Sequence, residues 1–285
     1  MDRPLYPFTA VVGQERAKQA LLCLAVEPRI GGVLLCGEKG TAKSTLVRAL
    51  GGLDGVRLLE LPVSATEDML LGGVELEAAV RTGCRTFQPG LLARADGAVL
   101  YADEVNLLPS ALTAALLDTL ETGVCRVERD GISHTCPARF ALVGTMNPEE
   151  GTLRPQLLDR FGLYVAVTGE REPEARKEVV RRRLAFEENP AAFRAQWARR
   201  EERLAGQLAA ARALWAVCPE EAALFFWEGR YWLSLPAGEE QTACRLSEFG
   251  AEAEQAPFLD ARLTEHARLI LPRQALATLH RYFPD

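Results

Sequence analysis

Eight consecutive residues have the types and order of a phosphate-binding loop: Gly37-Glu38-Lys39-Gly40-Thr41-Ala42-Lys43-Ser44. This run follows an apolar stretch and opens a helical pattern, the context in which backbone N–H groups and a helix terminus surround phosphate oxygens. We expect Lys43 to contact the β- and γ-phosphates and Ser44 to bind magnesium. The sequence therefore predicts a site for ATP and Mg²⁺, formed by Gly37, Glu38, Lys39, Gly40, Thr41, Ala42, Lys43, Ser44 and Thr45.

Ala42 departs from the common GxxxxGK[ST] pattern, because it stands where the second glycine is usual. Alanine fits this place if the backbone φ angle is negative, since a methyl group is then tolerated. The place of Ala42 in the predicted loop rests on that condition.

Two acids, Asp103 and Glu104, directly follow the apolar run at residues 98–102. Carboxylates at the carboxyl end of a parallel strand face the crevice where ligands bind. We expect Asp103 to hold Mg²⁺ through water, and Glu104 to orient and polarise the attacking water.

Two further polar residues follow in an order that suits phosphate chemistry. Asn147 comes after the apolar run at 140–144, where its amide can reach the γ-phosphate or the lytic water. Arg160 ends a short helical pattern and is a candidate arginine finger, which acts on phosphates bound by a neighbouring subunit. The alternative for Arg160 is an ion pair within the chain, to Asp159 or Glu149.

Helical and strand patterns alternate along the first 170 residues, which is typical of an α/β layer with a parallel sheet flanked by helices. The predicted strands are 32–36, 56–61, 98–102 and 140–144. The predicted helices are 14–26, 44–50 and 109–121. Residues 124–128 and 133–136 flank an Asp-Gly turn signal and predict a β-hairpin.

The composition changes after residue 171 towards arginine, glutamate and alanine. We expect helices at 173–188 and 193–215, a hairpin at 224–235, a loop up to about residue 257 and a last helical stretch at 264–280.

The bulk composition excludes several classes of protein. A net charge of −6 provides no basic field for nucleic acid, and no apolar run is long enough to cross a bilayer. Seven isolated cysteines indicate neither a disulfide framework nor a zinc module. The amino terminus lacks the pattern of a signal peptide. We therefore expect a cytoplasmic protein without nucleic-acid partners or membrane insertion.

The four chemical elements, in this order, are those of an AAA+ ATPase, and the surrounding sequence narrows the resemblance. It is similar to the ATPase (I) subunit of magnesium chelatase and to related subunits proposed for cobalt chelation. The similarity runs from about residue 5 to residue 215, including IGGVLLCGEKGTAKSTLVRAL, FQPGLLARADGAVLYADEVNLL and ALVGTMNPEEGTLRPQLLDRFGLYVAV.

The resemblance implies a motor subunit that forms a homo-oligomeric ring of six, with ATP between neighbours. Its partners would be an AAA-like subunit with an integrin-type (VWA) domain and a large subunit that holds the tetrapyrrole. The AAA+ core would span 1–170, with an insertion at about 64–95 and a pre-sensor hairpin at about 124–138. Residues 171–285 would form a mostly helical, atypical lid.

Two alternatives stay open at this point. One is a MoxR-like AAA+ chaperone that activates a partner with a VWA domain. The other is a degenerate member that binds nucleotide in a regulatory role, since the family's G-x-R-x-D lid segment has no counterpart after Trp215.

Overall fold

The computed structural model describes residues 4–74, 87–129, 132–215, 223–227, 230–237 and 240–245. Contacts divide the chain into two compact units, Met1–Glu202 and Arg203–Asp285. The boundary lies further along the chain than the 170/171 division predicted from the sequence.

The first unit is built on a five-stranded sheet in which all neighbouring strands are parallel. In spatial order its strands are β2 (Leu58–Leu61), β5 (Val99–Ala102), β8 (Ala141–Met146), β1 (Gly32–Cys36) and β9 (Leu163–Ala166). The three central strands are almost wholly buried, because helices cover a parallel sheet on both faces. The predicted parallel α/β sheet is confirmed.

Strand β8 extends two residues beyond the predicted end at residue 144. This difference brings Thr145 into the strand, level with Leu35 of β1. The predicted start of β2 at residue 56 was two residues early, since Val56 closes a turn onto Leu53.

The helices fall close to the predicted bounds. In chain order they are α1 (Glu15–Val26), α2 (Lys43–Leu50), α3 (Glu67–Leu71), α4 (Leu91–Arg94), α5 (Ser110–Thr122), α6 (Pro155–Leu158), α7 (Pro173–Glu188) and α8 (Pro190–Trp215). Short 3₁₀ turns occupy Phe8–Ala10, Pro28–Ile30, Val105–Leu107 and Pro148–Glu150.

Two antiparallel pairs extend from the sheet. Strands β3 (Gly72–Val74) and β4 (Phe87–Pro89) pair within the predicted insertion. Strands β6 (Val124–Arg129) and β7 (Ile132–Pro137) form the predicted hairpin, with Cys125 opposite Cys136. The predicted Asp-Gly turn at 130–131 lies outside the described residues.

An aromatic cluster joins the amino-terminal segment to the two helices that follow residue 171. The rings of Tyr6 and Phe186 meet edge to face at 5.0 Å, and Phe193 contacts both. Glu201 accepts hydrogen bonds from the backbone and hydroxyl of Thr9. The first unit therefore includes α7 and the first half of α8.

The second unit contains a three-stranded antiparallel sheet of β10 (Ala223–Trp227), β11 (Arg230–Ala237) and β12 (Glu240–Arg245). The hairpin predicted at 224–235 is confirmed. The loop expected from there to residue 257 was wrong for residues 240–245, which pair with β11. The helical stretch predicted at 264–280 lies outside the described residues. No helix in the described ranges combines the length and apolar character that a membrane span requires.

Candidate nucleotide-binding site

The phosphate-binding loop leaves the sheet at the carboxyl end of β1. Gly37 extends that strand, because its N–H donates to the carbonyl of Met146 at 3.1 Å. A Cβ atom on Gly37 would overlap the carbonyl oxygen of Val167, so only glycine fits. Gly40 turns the loop with φ of +84°, and no atom lies near its Cβ direction.

Lys43 begins α2 and is almost completely buried inside the loop. Its ammonium donates to the carbonyls of Gly37 at 2.6 Å and Glu38 at 2.7 Å, and to the Thr41 hydroxyl at 3.3 Å. Burial lowers the pKa of Lys43, while nearby acidic groups, among them Asp103, oppose that shift. The loop thus holds a cation within reach of any anion that enters it.

The backbone at Ala42 does not meet the condition of a negative φ under which alanine was expected to fit. Ala42 has φ of +65° and ψ of 15°, which is the left-handed region. Ala42 is exposed, so its methyl group meets no steric obstacle, and the cost lies in the strained backbone. A left-handed conformation costs a non-glycine residue about 1–2 kcal/mol. The loop therefore holds Ala42 in a strained backbone conformation.

Ser44 and Asp103, the two predicted magnesium ligands, are in direct contact. The Ser44 hydroxyl donates to Asp103 Oδ1 at 3.0 Å. A serine hydroxyl and a carboxylate are hard oxygen ligands of the kind that Mg²⁺ takes beside phosphate oxygens. These residues fit a MgATP site, with Thr45 one position further along α2.

Thr145 is a site residue that the sequence analysis missed. Its hydroxyl donates to Asp103 Oδ1 at 2.5 Å and accepts the backbone N–H of Glu104 at 3.1 Å. It also lies 3.5 Å from the hydroxyl of the buried Tyr101. The available signal was a threonine closing the otherwise apolar run FALVG, on the strand adjacent to the two acids.

Arg48, on α2, is the second residue that the sequence did not reveal. Its Nη2 lies 3.2 Å from Asp103 Oδ2, and the same guanidinium forms a two-pronged ion pair with Glu60 on β2. Hydrogen bonding to Glu60 raises the pKa of Arg48, so the group stays cationic. The guanidinium also stands 5.7 Å from the centre of the Tyr101 ring.

These contacts determine the charge state of Asp103. Burial alone would raise the pKa of its carboxyl. Hydrogen bonds from Thr145, Tyr101 and Ser44, together with the charge of Arg48, outweigh burial and leave that pKa below its ordinary value. Asp103 is therefore an anion at neutral pH and suits a divalent cation.

Glu104 and Asn147 lie at the same edge of the sheet. Glu104 is in the left-handed region, with φ of +48°, and its backbone is held by Thr145. Asn147 follows β8 beside the loop and is 7% exposed. Its Oδ1 accepts the Glu149 N–H at 3.3 Å, while the next residue, Glu150, pairs with Lys39 at 3.7 Å.

Arg160 is not part of this cluster. Its carbonyl oxygen lies 3.0 Å from the Cβ direction of Gly31, just before the amino end of β1. The five residues of β1 separate this point from the phosphate-binding loop by roughly 16 Å. Arg160 Nη2 forms an ion pair with Glu121 at 3.2 Å. The alternative of an ion pair within the chain had named Asp159 or Glu149 as the partner.

Comparisons with known proteins place the chain in a family. The family model of the AAA domain, dynein-related subfamily, matches residues 32–161. An uncharacterized protein of Mycobacterium tuberculosis is 55% identical over 215 residues, which is 73% of this chain and 34% of that protein. The chain therefore spans about a third of that relative.

Other relatives are matched over most of their length. The magnesium-chelatase subunit ChlI of Nephroselmis olivacea is 44% identical, with 74% of this chain and 71% of that protein covered. The magnesium-chelatase 38 kDa subunit of Rhodobacter capsulatus is also 44% identical, with 74% and 69% covered.

One solved structure, determined from a cryo-EM reconstruction, is of the complex between subunits BchI and BchD of magnesium chelatase. Its matching chain is 42% identical, with a TM-score of 0.53, and 78% of this chain and 79% of that chain are covered. Identity and coverage of this order lead to one conclusion: the chain belongs to the family of magnesium-chelatase ATPase (I) subunits within the AAA+ proteins.

Proposed function

We propose that this chain is the ATP-hydrolysing motor of a magnesium- or cobalt-chelatase-type complex, which drives metal insertion into a tetrapyrrole held by a partner subunit. The observation that carries the proposal is the Ser44–Asp103 contact of 3.0 Å beside the buried Lys43. This contact places two hard oxygen ligands for Mg²⁺ close to the fixed ammonium group that binds the phosphates, at the carboxyl ends of the strands. MgATP binding requires both.

Each residue of the cluster has a distinct task in this proposal. Lys43 exchanges its bonds to loop carbonyls for bonds to the β- and γ-phosphates. Ser44 and Asp103 hold Mg²⁺, which neutralises charge on the phosphates when it is bound. Glu104 orients the attacking water, and Asn147 hydrogen-bonds that water or the γ-phosphate.

Arg160 acts on the neighbouring subunit's nucleotide in this proposal. It stands roughly 16 Å from its own loop, across the length of β1, so it serves a site at a subunit boundary better than its own. We therefore propose a homo-oligomeric ring, a hexamer, with an AAA-like VWA subunit and a large tetrapyrrole-binding subunit as cytoplasmic partners.

Steady-state ATP hydrolysis, measured against protein concentration, tests the proposal. Activity per subunit should rise with concentration, because each site is completed by a neighbour. Glu104→Gln and Arg160→Ala should each lower turnover by about 100-fold or more while MgATP still binds. Turnover of wild type no higher than that of Glu104→Gln at every concentration would refute a motor function for the chain.

The chelatase assignment needs a separate assay, since a MoxR-like chaperone would share the ATPase chemistry. Metal insertion into a tetrapyrrole should occur with the partner subunits present and should stop with the Glu104→Gln variant. ATP hydrolysis without any metal insertion under those conditions would favour the chaperone alternative.

A further inference from the structure

One cavity of the first unit lies on the side of the central sheet opposite to the nucleotide site. It has a volume of about 680 Å³ and opens at the amino ends of the central strands. We call it the edge groove, and its walls include Gly31, Gly123, Phe140, Arg139 and Arg160. The edge groove therefore contains the predicted arginine finger and two further arginines, Arg29 and Arg139.

Three arginines line the edge groove, and two of them have acidic partners. Arg29 pairs with Glu27 through two hydrogen bonds of 3.0 and 2.7 Å. Arg160 pairs with Glu121 through one nitrogen, while its buried Nε has no partner among the described residues. Asp159 is the other acid of the groove.

Arg139 differs from both. In the part of the chain that the structure describes, its guanidinium makes no hydrogen bond or ion pair. Its backbone is nevertheless fixed, because its N–H donates to Asp96 Oδ1 at 2.9 Å and its carbonyl accepts from Gly97 at 2.7 Å. The guanidinium of Arg139 is thus unpaired among the described residues, while two hydrogen bonds hold its backbone.

The stem of Arg139 is also positioned. Its Cγ and Nε lie 3.2 and 3.3 Å from the Cβ direction of Gly123, the residue with φ of +67° that ends α5. Any larger residue at position 123 would push this stem away. The glycine therefore lets the arginine lie across the end of the helix, in the same groove as Arg160.

We propose that Arg139 is a second arginine that acts together with Arg160 on the triphosphate bound by a neighbouring copy of this chain. This inference rests on the proposed function. Arg139 cannot serve its own site, because the six residues of β8 separate it from Asn147 by roughly 20 Å. A polyanion is the ligand that two arginines in one groove favour, since guanidinium forks bind phosphate oxygens with two hydrogen bonds.

A complementation experiment tests the inference. Arg139→Gln keeps much of the stem and removes the charge, and it should lower ATP turnover by about 100-fold with MgATP affinity unchanged. Glu104→Gln subunits are inactive but carry an intact edge groove. A one-to-one mixture of the two variants should recover about a quarter of wild-type activity. In a randomly assembled ring, this is the share of interfaces at which an intact site meets an intact groove.

Two controls make the outcome specific. Arg176→Gln removes an exposed arginine of α7 and should keep wild-type turnover. Arg160→Gln mixed with Glu104→Gln should recover activity in the same way as the Arg139 mixture.

The inference fails if Arg139→Gln turns over ATP as Arg176→Gln does. It also fails if the Arg160 mixture recovers activity and the Arg139 mixture does not, because Arg139 would then act within its own subunit. If neither mixture recovers activity, the shared-site ring of the proposed function is itself refuted.

Discussion

At the scale of single residues, one hydroxyl organises the nucleotide site. Thr145 donates to the Asp103 carboxylate and accepts the Glu104 N–H, so it holds both acids with one side chain. The contact fixes the carboxylate of Asp103, the proposed metal ligand, relative to the backbone of Glu104, the residue proposed to orient water. A valine in its place would keep the shape and lose both bonds, leaving a buried acceptor less well satisfied.

The strained backbone of Ala42 leads to a prediction at the same scale. Ala42→Gly should stabilise the protein by about 0.5–1 kcal/mol, because relief of the left-handed conformation exceeds the added freedom of the unfolded chain. Urea unfolding of both proteins measures the difference. Ala195→Gly, at an exposed position within α8, should instead cost about 1 kcal/mol. Equal destabilisation by both changes would contradict the strain at Ala42.

At the scale of elements, β8 is the strand that joins the loop to the acids. It lies between β5, which ends one residue before Asp103, and β1, which leads into the phosphate-binding loop. Gly144 of β8 permits close packing there, since a Cβ would come within 2.8 Å of Phe161 and 3.0 Å of Val105. The packing thus leaves no room for a side chain at position 144.

Gly144→Ala is therefore expected to destabilise the first unit by about 1–3 kcal/mol, because the added methyl group overpacks the core. It should also lower ATP turnover, since Val105 directly follows Glu104 and would have to move. Gly73→Ala is the control, because nothing lies within 4 Å of its Cβ direction. Thermal unfolding and ATP hydrolysis of the two variants would be compared, and equal values for both would argue against tight packing at Gly144.

At the scale of the whole molecule, the two ends of the parallel strands carry different groups of residues. The carboxyl ends of the strands carry the nucleotide site, and the amino ends carry the edge groove with Arg139 and Arg160. In the proposed function, the nucleotide site of one copy is completed by the edge groove of its neighbour. Assembly of identical copies would then be part of the catalytic machinery.

Nucleotide should stabilise the first unit, which contains the whole site. MgATP at 100 times its Kd should add about 2.7 kcal/mol, and removal of the metal with EDTA should reduce that gain. Lys43→Ala should abolish the shift in thermal unfolding, because the buried ammonium is the fixed cation of the loop. Lys177→Ala, at an exposed ion pair of α7, should keep the full shift. An undiminished shift with Lys43→Ala would mean that MgATP binds elsewhere.

The sequence by itself determined the phosphate-binding loop, the acids Asp103 and Glu104, and the parallel sheet that joins them. Such features are local, because loop, strand and helix each follow from neighbouring residue types. Only the tertiary structure decided the roles of Thr145 and Arg48, the left-handed φ of Ala42 and the pairing of Arg160 with Glu121. The contacts of Thr145, Arg48 and Arg160 join residues that lie far apart along the chain, so they depend on which strands and helices become neighbours in space. The conformation of Ala42 depends on the neighbouring strands that hold the loop.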